Sequence, residues 1–441
     1  MTTLNFDLKN VSGKIKPMHA VNNGPVYARN GGNVELYKKL ELPYARYHDS
    51  AFLTAYGGEF SVDVHRIFKN FDADENDPAN YIFEPTDLYV QRTILAGTKP
   101  YYRLGAAIEH NYKYGTYPPK DFHKWARICE NIIRHYTEGW GNGFNYDIEY
   151  WEIWNEPDCT HTDGENNPCW QGKMALFIEF YEIAAKYLKS KFPRLKIGGP
   201  AFTSSWHYEF INPFLKAVKE KNIPLDFYSF HGYMWSPTVV KELYDCALQS
   251  FKDAGLEKVE FHLNEWNYMR SWVDSYEYST RQIGKIKGAS FVLGSMCVGQ
   301  SCGIDMMMYY DARPSIFNGM FTPYFFEPMK SYFSFSFFRD VYKLENSVVC
   351  DAVKENIFSV ASTNGEESAI ALTYFTPEDT SENQEVTINI QNVKEGARVE
   401  YYLLDEEHDA TLIKEEKATE NYSVTLDMKL FDSYLIKIKE A

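Results

Sequence analysis

The chain is poor in the features that would place it in several common classes. Its seven cysteines are odd in number and none stands in a CxxC spacing. They read as buried free thiols in a reducing compartment, with Cys159 and Cys169, which flank a polar loop, left open as a pair. No run approaches the ~20 apolar residues that a membrane-spanning helix needs. The first residues, MTTLNFDLKN, lack a basic region followed by an apolar run, so no secretory signal is visible. The expected compartment is cytoplasmic, although a secreted chain trimmed of its signal would read the same. Positive charge is in deficit, 45 Lys and Arg against 61 Asp and Glu, for a net charge of −16. Phosphate recognition needs basic patches, so neither nucleic acid nor membrane is an expected partner. The eleven histidines include no HxH pair at the first predicted strand and no HExxH.

Aromatic residues, by contrast, are abundant, at 17%. They fill cores, but their flat faces also stack on sugar rings while a Tyr or Trp tip reaches a hydroxyl. At 441 residues the chain exceeds one ordinary core, so a large domain and a smaller one are expected. Short apolar runs alternate with longer amphipathic stretches, the signature of repeated βα units. Eight runs read as strands: Ile15–Val21, Tyr44–His48, Pro100–Ala106, Ile148–Asn155, Leu195–Pro200, Asp226–Tyr233, Val259–Trp266 and Ile304–Tyr310. Helical patterns cover Phe122–Tyr136, Met174–Phe192, Glu209–Lys221, Val239–Ala254 and Thr280–Val298. Eight such units close into a (β/α)8 TIM barrel, assigned to residues 10–344. From 345 to 441 short alternating segments separated by turn signals read as a C-terminal β-sandwich, which residues 1–9 join.

Two connections are long. Phe52–Thr98 contains the acidic run Asp72, Asp74, Glu75 and Asp77, which reads as a solvated loop because it lacks the glycine and terminal glutamate of a calcium loop. Asp158–Gly172 is polar. Long loops after barrel strands build substrate clefts, and two such walls favour a pocket and cleavage from a chain end.

The strongest chemical signal is Tyr150-Trp151-Glu152-Ile153-Trp154-Asn155-Glu156-Pro157 at the end of the fourth predicted strand. Pro157 stops the strand and leaves Glu156 at the rim, where barrels carry their chemistry. A carboxyl beside aromatic rings loses solvation and stays protonated near neutrality, as a general acid must. The second signal is Leu263-Asn264-Glu265-Trp266-Asn267, ending the seventh strand. Ends of strands four and seven face each other across a barrel mouth, which suits a carboxyl pair. Glu152 competes with Glu156 by parity, but it lies deeper, where pairing with an Arg such as Arg46 or Arg103 is the commoner fate.

These two segments resemble the acid/base and nucleophile motifs of glycoside hydrolase family 39, a family of (β/α)8 barrels that includes β-xylosidases and α-iduronidases. Tyr44-Ala45-Arg46-Tyr47-His48, Gly198-Gly199-Pro200 and Asp226–Tyr233 resemble its second-, fifth- and sixth-strand segments, so the resemblance covers roughly residues 15 to 340. It implies a retaining hydrolase with Glu156 as acid/base and Glu265 as nucleophile, acting on a carbohydrate (a β-linked, plant-type or host glycan, β-xylosidase-like) with no cofactor and no metal. It further implies that Asn155 bonds the sugar 2-hydroxyl, that Arg46 keeps Glu265 ionised, that Tyr233 orients Glu265, and that His231 lines the cleft near Glu156. His48 and His19 are further candidates for sugar hydroxyls, each with a packed histidine as its alternative. Tyr310 substitutes for a Trp platform at the eighth strand. The turns Asp49-Ser50-Ala51 and Asn22-Asn23-Gly24-Pro25 depart from the xylosidase pattern. A non-catalytic glycan-binding barrel and a metal-dependent barrel hydrolase stand as alternatives, and a homo-oligomer is compatible with the sequence.

Overall fold

The computed structural model describes residues 2–27, 32–49, 61–159, 166–419 and 421–439. Two short strands come first, β1 (Thr2–Asp7) and β2 (Val11–Lys14). Eight strands then close a parallel barrel: β3 (Ala20–Asn22), β4 (Tyr44–Tyr47), β5 (Lys99–Leu104), β6 (Tyr150–Ile153), β7 (Lys196–Phe202), β8 (Phe227–Met234), β9 (Glu260–Tyr268) and β10 (Met306–Tyr309), with β10 pairing β3. Their side chains are buried almost throughout, as expected when one strand face meets the barrel interior and the other the surrounding helices.

The helices follow the amphipathic stretches: α1 (Val34–Lys39), α2 (Val64–Ile67), α3 (Glu84–Leu95), α4 (Phe122–Thr137), α5 (Met174–Lys191), α6 (Tyr208–Lys221), α7 (Val239–Asp253), α8 (Tyr276–Ile283), α9 (Ile286–Ser301) and α10 (Lys330–Tyr342). In α4 the apolar stripe Trp125, Ile128, Ile132, Ile133 and Tyr136 is buried, and the Asp121 carboxylate caps the first turn by accepting from the Lys124 amide at 3.0 Å.

The single helix expected over Thr280–Val298 is two helices, broken at Gly284 and Lys285. The turn between them is tight: a Cβ at Gly288 would stand 2.3 Å from the Ile283 carbonyl oxygen. The strand expected at Ile15–Val21 is confined to Ala20–Asn22, since Pro17 has no amide hydrogen for a ladder. Within the long connection before β5, residues 50–60 lie outside the described residues; the remainder holds α2, a 3-10 turn at Pro78–Asn80 and α3. Its acidic run is bound up locally: Asp77 caps the 3-10 turn, and Glu75 pairs with Arg127 at 2.6 Å.

The C-terminal strands are β11 (Asn346–Val348), β12 (Val353–Lys354), β13 (Ile357–Thr363), β14 (Glu367–Tyr374), β15 (Gln384–Gln391), β16 (Arg398–Leu404), β17 (Thr411–Lys417), β18 (Tyr422–Met428) and β19 (Ser433–Lys439). They form two sheets, one ordered β1-β15-β18 and the other β17-β16-β19-β14-β13-β11-β2 with β12 beside β13. Leu4 and Phe6 of β1 pack with Val386, Ile388, Val399 and Ile436 in the core between them. Because β2 pairs with β11, residues 11–14 belong to this sandwich and the barrel begins after Lys14 rather than at residue 10. Helix α9, buried on nearly every side, lies between the barrel and β13–β14, where Ser290 bonds the Thr373 hydroxyl at 2.7 Å.

Candidate active site

The barrel floor is built around Arg46, fully buried on β4. Its guanidinium donates to Glu152 (2.7 Å), Asn22 (3.0 Å), Asn155 (2.6 Å) and Glu265 (3.2 Å). Glu152, also fully buried, accepts further bonds from Ser229 (2.6 Å) and Asn264 (2.5 Å). Every acceptor position of Glu152 that faces a donor is thus occupied, so this carboxylate is a structural counter-charge. Arg103 goes elsewhere, to Asp63 at 2.7 Å and the His48 carbonyl.

Glu156 stands just beyond β6 in a segment forced into left-handed backbone: φ is +74° at Trp154 and +46° at Glu156. Such conformations are costly for residues with a Cβ and persist only where surroundings over-determine them. Here the Trp154 amide donates to Leu104 O (2.7 Å), its indole to Cys169 O (2.9 Å), and the Glu156 amide to Ala201 O (2.9 Å). Gly105 leaves room for the Trp154 ring, which a Cβ there would meet at 3.0 Å. Asp158 then ties this turn to the loop after β7 through the Thr203 amide (3.0 Å) and hydroxyl (2.7 Å) and His207 (2.9 Å).

The Glu156 carboxyl lies 2.7 Å from His231 Nδ1. Burial, reinforced by the charge of Asp158, lifts its pKa to about 8 against the pull of Arg46 and of the Cys169 and Cys159 thiols. It is therefore protonated at neutrality. Burial pushes His231 down to about 4, so the imidazole beside it is neutral. Glu265, in the final stretch of β9, accepts from the Tyr233 hydroxyl at 2.7 Å and from Arg46. Burial raises its pKa, against the pull of Arg46 and of the Tyr233 hydroxyl. Arg46 reaches Glu265 as the resemblance implies, but it does not outweigh desolvation. One oxygen of Glu156, one of Glu265 and a His231 nitrogen all lie within 4.8 Å of one another.

Above this trio a cleft of about 650 Å³ opens, lined by His48, Tyr233 and Tyr310 among others. Tyr310 donates to Asp49 at 2.7 Å, and Arg313 holds the same carboxylate at 2.6 Å. Although burial opposes it, Arg313 keeps Asp49 well below the usual carboxylate range. The departure at Asp49 thus places a buried, fixed anion beside the cleft; Ser50 and Ala51 lie outside the described residues. Asn155 spends its oxygen on Arg46 and leaves its Nδ2 without a partner among the described residues. Asn22, in the other departing turn, braces Arg46 and donates to the Asn264 carbonyl at 2.9 Å.

His19 is not in this site. It precedes β3 at the entry end of the barrel, between Phe338 and Tyr342 at ring-centroid distances of 5.5 and 4.7 Å, and burial pushes it down to about 3. It is the packed histidine of the alternative reading, because the rim lies at the opposite end of the strands. Among the cleft residues that escaped the sequence reading are Trp206, Trp235 and Trp272, all partly exposed. Each lies at or just after the end of a barrel strand, β7, β8 or β9, which is the signal that would have found them. Cys159 and Cys169 are free thiols, and residues 160–165 between them lie outside the described residues.

The family model for glycosyl hydrolases family 39 matches residues 62–260. A β-xylosidase of Geobacillus stearothermophilus is 27% identical over 207 residues, which is 44% of this chain and 37% of that protein's length. The matched stretch thus spans well under half of that relative. Among solved structures, a glucosidase from Croceicoccus marinus superposes with a TM-score of 0.78 at 20% identity, covering 100% of this chain and 99% of the other. A monomeric β-xylosidase from Caulobacter crescentus superposes with a TM-score of 0.74 at 16% identity, covering 100% and 99%. These superpositions establish the shared fold.

Proposed function

We propose that the chain, whose residues 62–260 match the model for glycosyl hydrolases family 39, is a retaining glycoside hydrolase of that family acting on a β-linked pentoside or hexoside, in the manner of a β-xylosidase. The observation that carries this reading is the convergence of the two rim carboxyls on His231, with an oxygen of Glu156 and one of Glu265 within 4.8 Å of each other, which favours the shorter of the two spacings that glycosidases use. Retention needs a pair separated by roughly 5–5.5 Å, whereas inversion needs roughly 6.5–9.5 Å to seat a water.

The Glu265 carboxylate attacks the anomeric carbon as the bond to the leaving oxygen breaks, and Glu156 gives its proton to that oxygen. The product is a glycosyl ester on Glu265. Esterification removes the charge of Glu265, which lets Glu156 ionise and take a proton from water. The water oxygen attacks the anomeric carbon, and Glu265 leaves with its charge restored. Tyr233 and Arg46 hold Glu265 on its attack line, and the Nδ2 of Asn155, unpartnered among the described residues, is the donor for the sugar 2-hydroxyl. Trp206, Trp235 and Trp272 supply apolar faces for sugar rings at the mouth.

The test is hydrolysis of a panel of aryl glycosides by wild type and by Glu265→Ala, with azide added back. Turnover on one glycone, lost by a factor on the order of 10⁴ or more in the variant and partly restored as the inverted glycosyl azide, is the expected result. Unaltered turnover in Glu265→Ala would sink the assignment. Glycan affinity without turnover in wild type would favour the binding-barrel reading.

A further inference from the structure

Two thiols crowd the acid/base. Cys159 lies three residues after Glu156, its amide donating to the Glu156 carbonyl at 3.0 Å. Cys169 returns on the far side of the loop, fixed by its amide on Asn167 Oδ1 (2.8 Å) and by the Trp154 indole on its carbonyl. Its Sγ stands 3.8 Å from Glu156 Oε2, and the two sulfurs and a Glu156 oxygen all lie within 4.8 Å of one another. Tetrahedral zinc, with Zn–S near 2.3 Å and Zn–O near 2.0–2.2 Å, sets its ligands about 3.6–3.8 Å apart. The three atoms are therefore close enough to converge on one such ion with little movement, and Glu156 and Cys159 both line the cleft.

We propose that Glu156, Cys159 and Cys169 form a binding site for a soft divalent cation, zinc or cadmium, whose occupation silences the acid/base. Thiolate donors select zinc and cadmium over magnesium or calcium. The ion takes the place of the thiol protons and of the Glu156 proton, so binding releases protons and tightens as pH rises. A Glu156 carboxylate bound to metal has no proton to give to a leaving oxygen. The silencing rests on the glycosidase reading; the binding does not.

The experiment titrates the full chain, kept reduced by a phosphine, with cadmium alone, following the ultraviolet sulfur-to-cadmium charge-transfer band. Wild type should take up one more ion than Cys159→Ser/Cys169→Ser. Loss of an outer-sphere partner already weakens metal sites ~10–100-fold, so Cys159→Ser alone, at a half-buried position that tolerates the change, should weaken binding by ~10-fold or more. Glu156→Gln should weaken it as well. Zinc should inhibit wild-type hydrolysis, reversibly on chelation, and spare the cysteine variants. Identical cadmium titrations of wild type and Cys159→Ser, with both folded by circular dichroism, would overturn the site. Cadmium uptake in a protein that hydrolyses nothing would leave the site standing and remove the glycosidase reading.

Discussion

Glu152 and Glu156 sit four residues apart on one strand and its exit, and they have opposite fates. Glu152 is enclosed by Arg46, Ser229 and Asn264, which together answer its charge. Glu156 has a neutral imidazole, two thiols and a repelling Asp158 for company, and burial lifts its pKa to about 8. Glu152 is the more deeply buried of the two, yet Glu156, which borders the cleft, is the one held protonated, so depth alone does not make an acid. The difference is whether the surrounding donors carry charge and converge on the carboxylate.

That contrast can be broken at either end. Replacing Glu156 by Gln should lower kcat for a poor leaving group by ~10²–10⁴-fold and much less for an activated aryl oxygen, read from a leaving-group series; equal losses across the series would remove Glu156 from proton transfer. Glu152→Gln should instead cost stability, about 3–5 kcal/mol in denaturant unfolding, because Arg46 loses its principal counter-charge. A stable Glu152→Gln protein would mean that Asn155, Asn22 and Glu265 suffice for Arg46.

The raised pKa of Glu156 sharpens the comparison through pH. The unfolded carboxyl ionises near 4.5 and the folded one near 8, so between these values the folded state holds the extra proton. The neutral Glu156 carries no such penalty below about 4.5; stability is lost as pH rises toward 8 and is level above it. Glu156→Gln should therefore raise the melting temperature of the protein more at pH 8.5 than at pH 5, by calorimetry. The smallest effect is expected farthest from the carboxyls. Trp235→Ala should raise KM with little change in kcat, by roughly 0.5–1.5 kcal/mol of lost stacking.

The barrel was legible because its strands are buried on both faces and read as apolar runs, and the catalytic candidates because each ends such a run next to a Trp. Edge strand β17 was not, since its residues are almost all exposed and show no buried alternation. The break between α8 and α9 was hidden for the opposite reason: α9 is buried all round, leaving no polar face to mark its start. Asp49 and Arg313 meet across 264 positions, a pairing that no local pattern announces. His19 had the right residue type beside the right strand, at the wrong end of it.

The pairing of β1 with β15 sets a schedule for assembly. Asn389 bonds Asn5 at 3.0 Å across 384 positions of chain. At ~5–20 residues per second of synthesis, the first strand waits roughly 20–80 s for its neighbour to be made. The barrel can close meanwhile, with Leu4 and Phe6 still uncovered, and the β1-β15-β18 sheet is completed only once Gln384–Gln391 and Tyr422–Met428 have been made. Until then the apolar face of β1 is open to mispairing, although it touches no catalytic group.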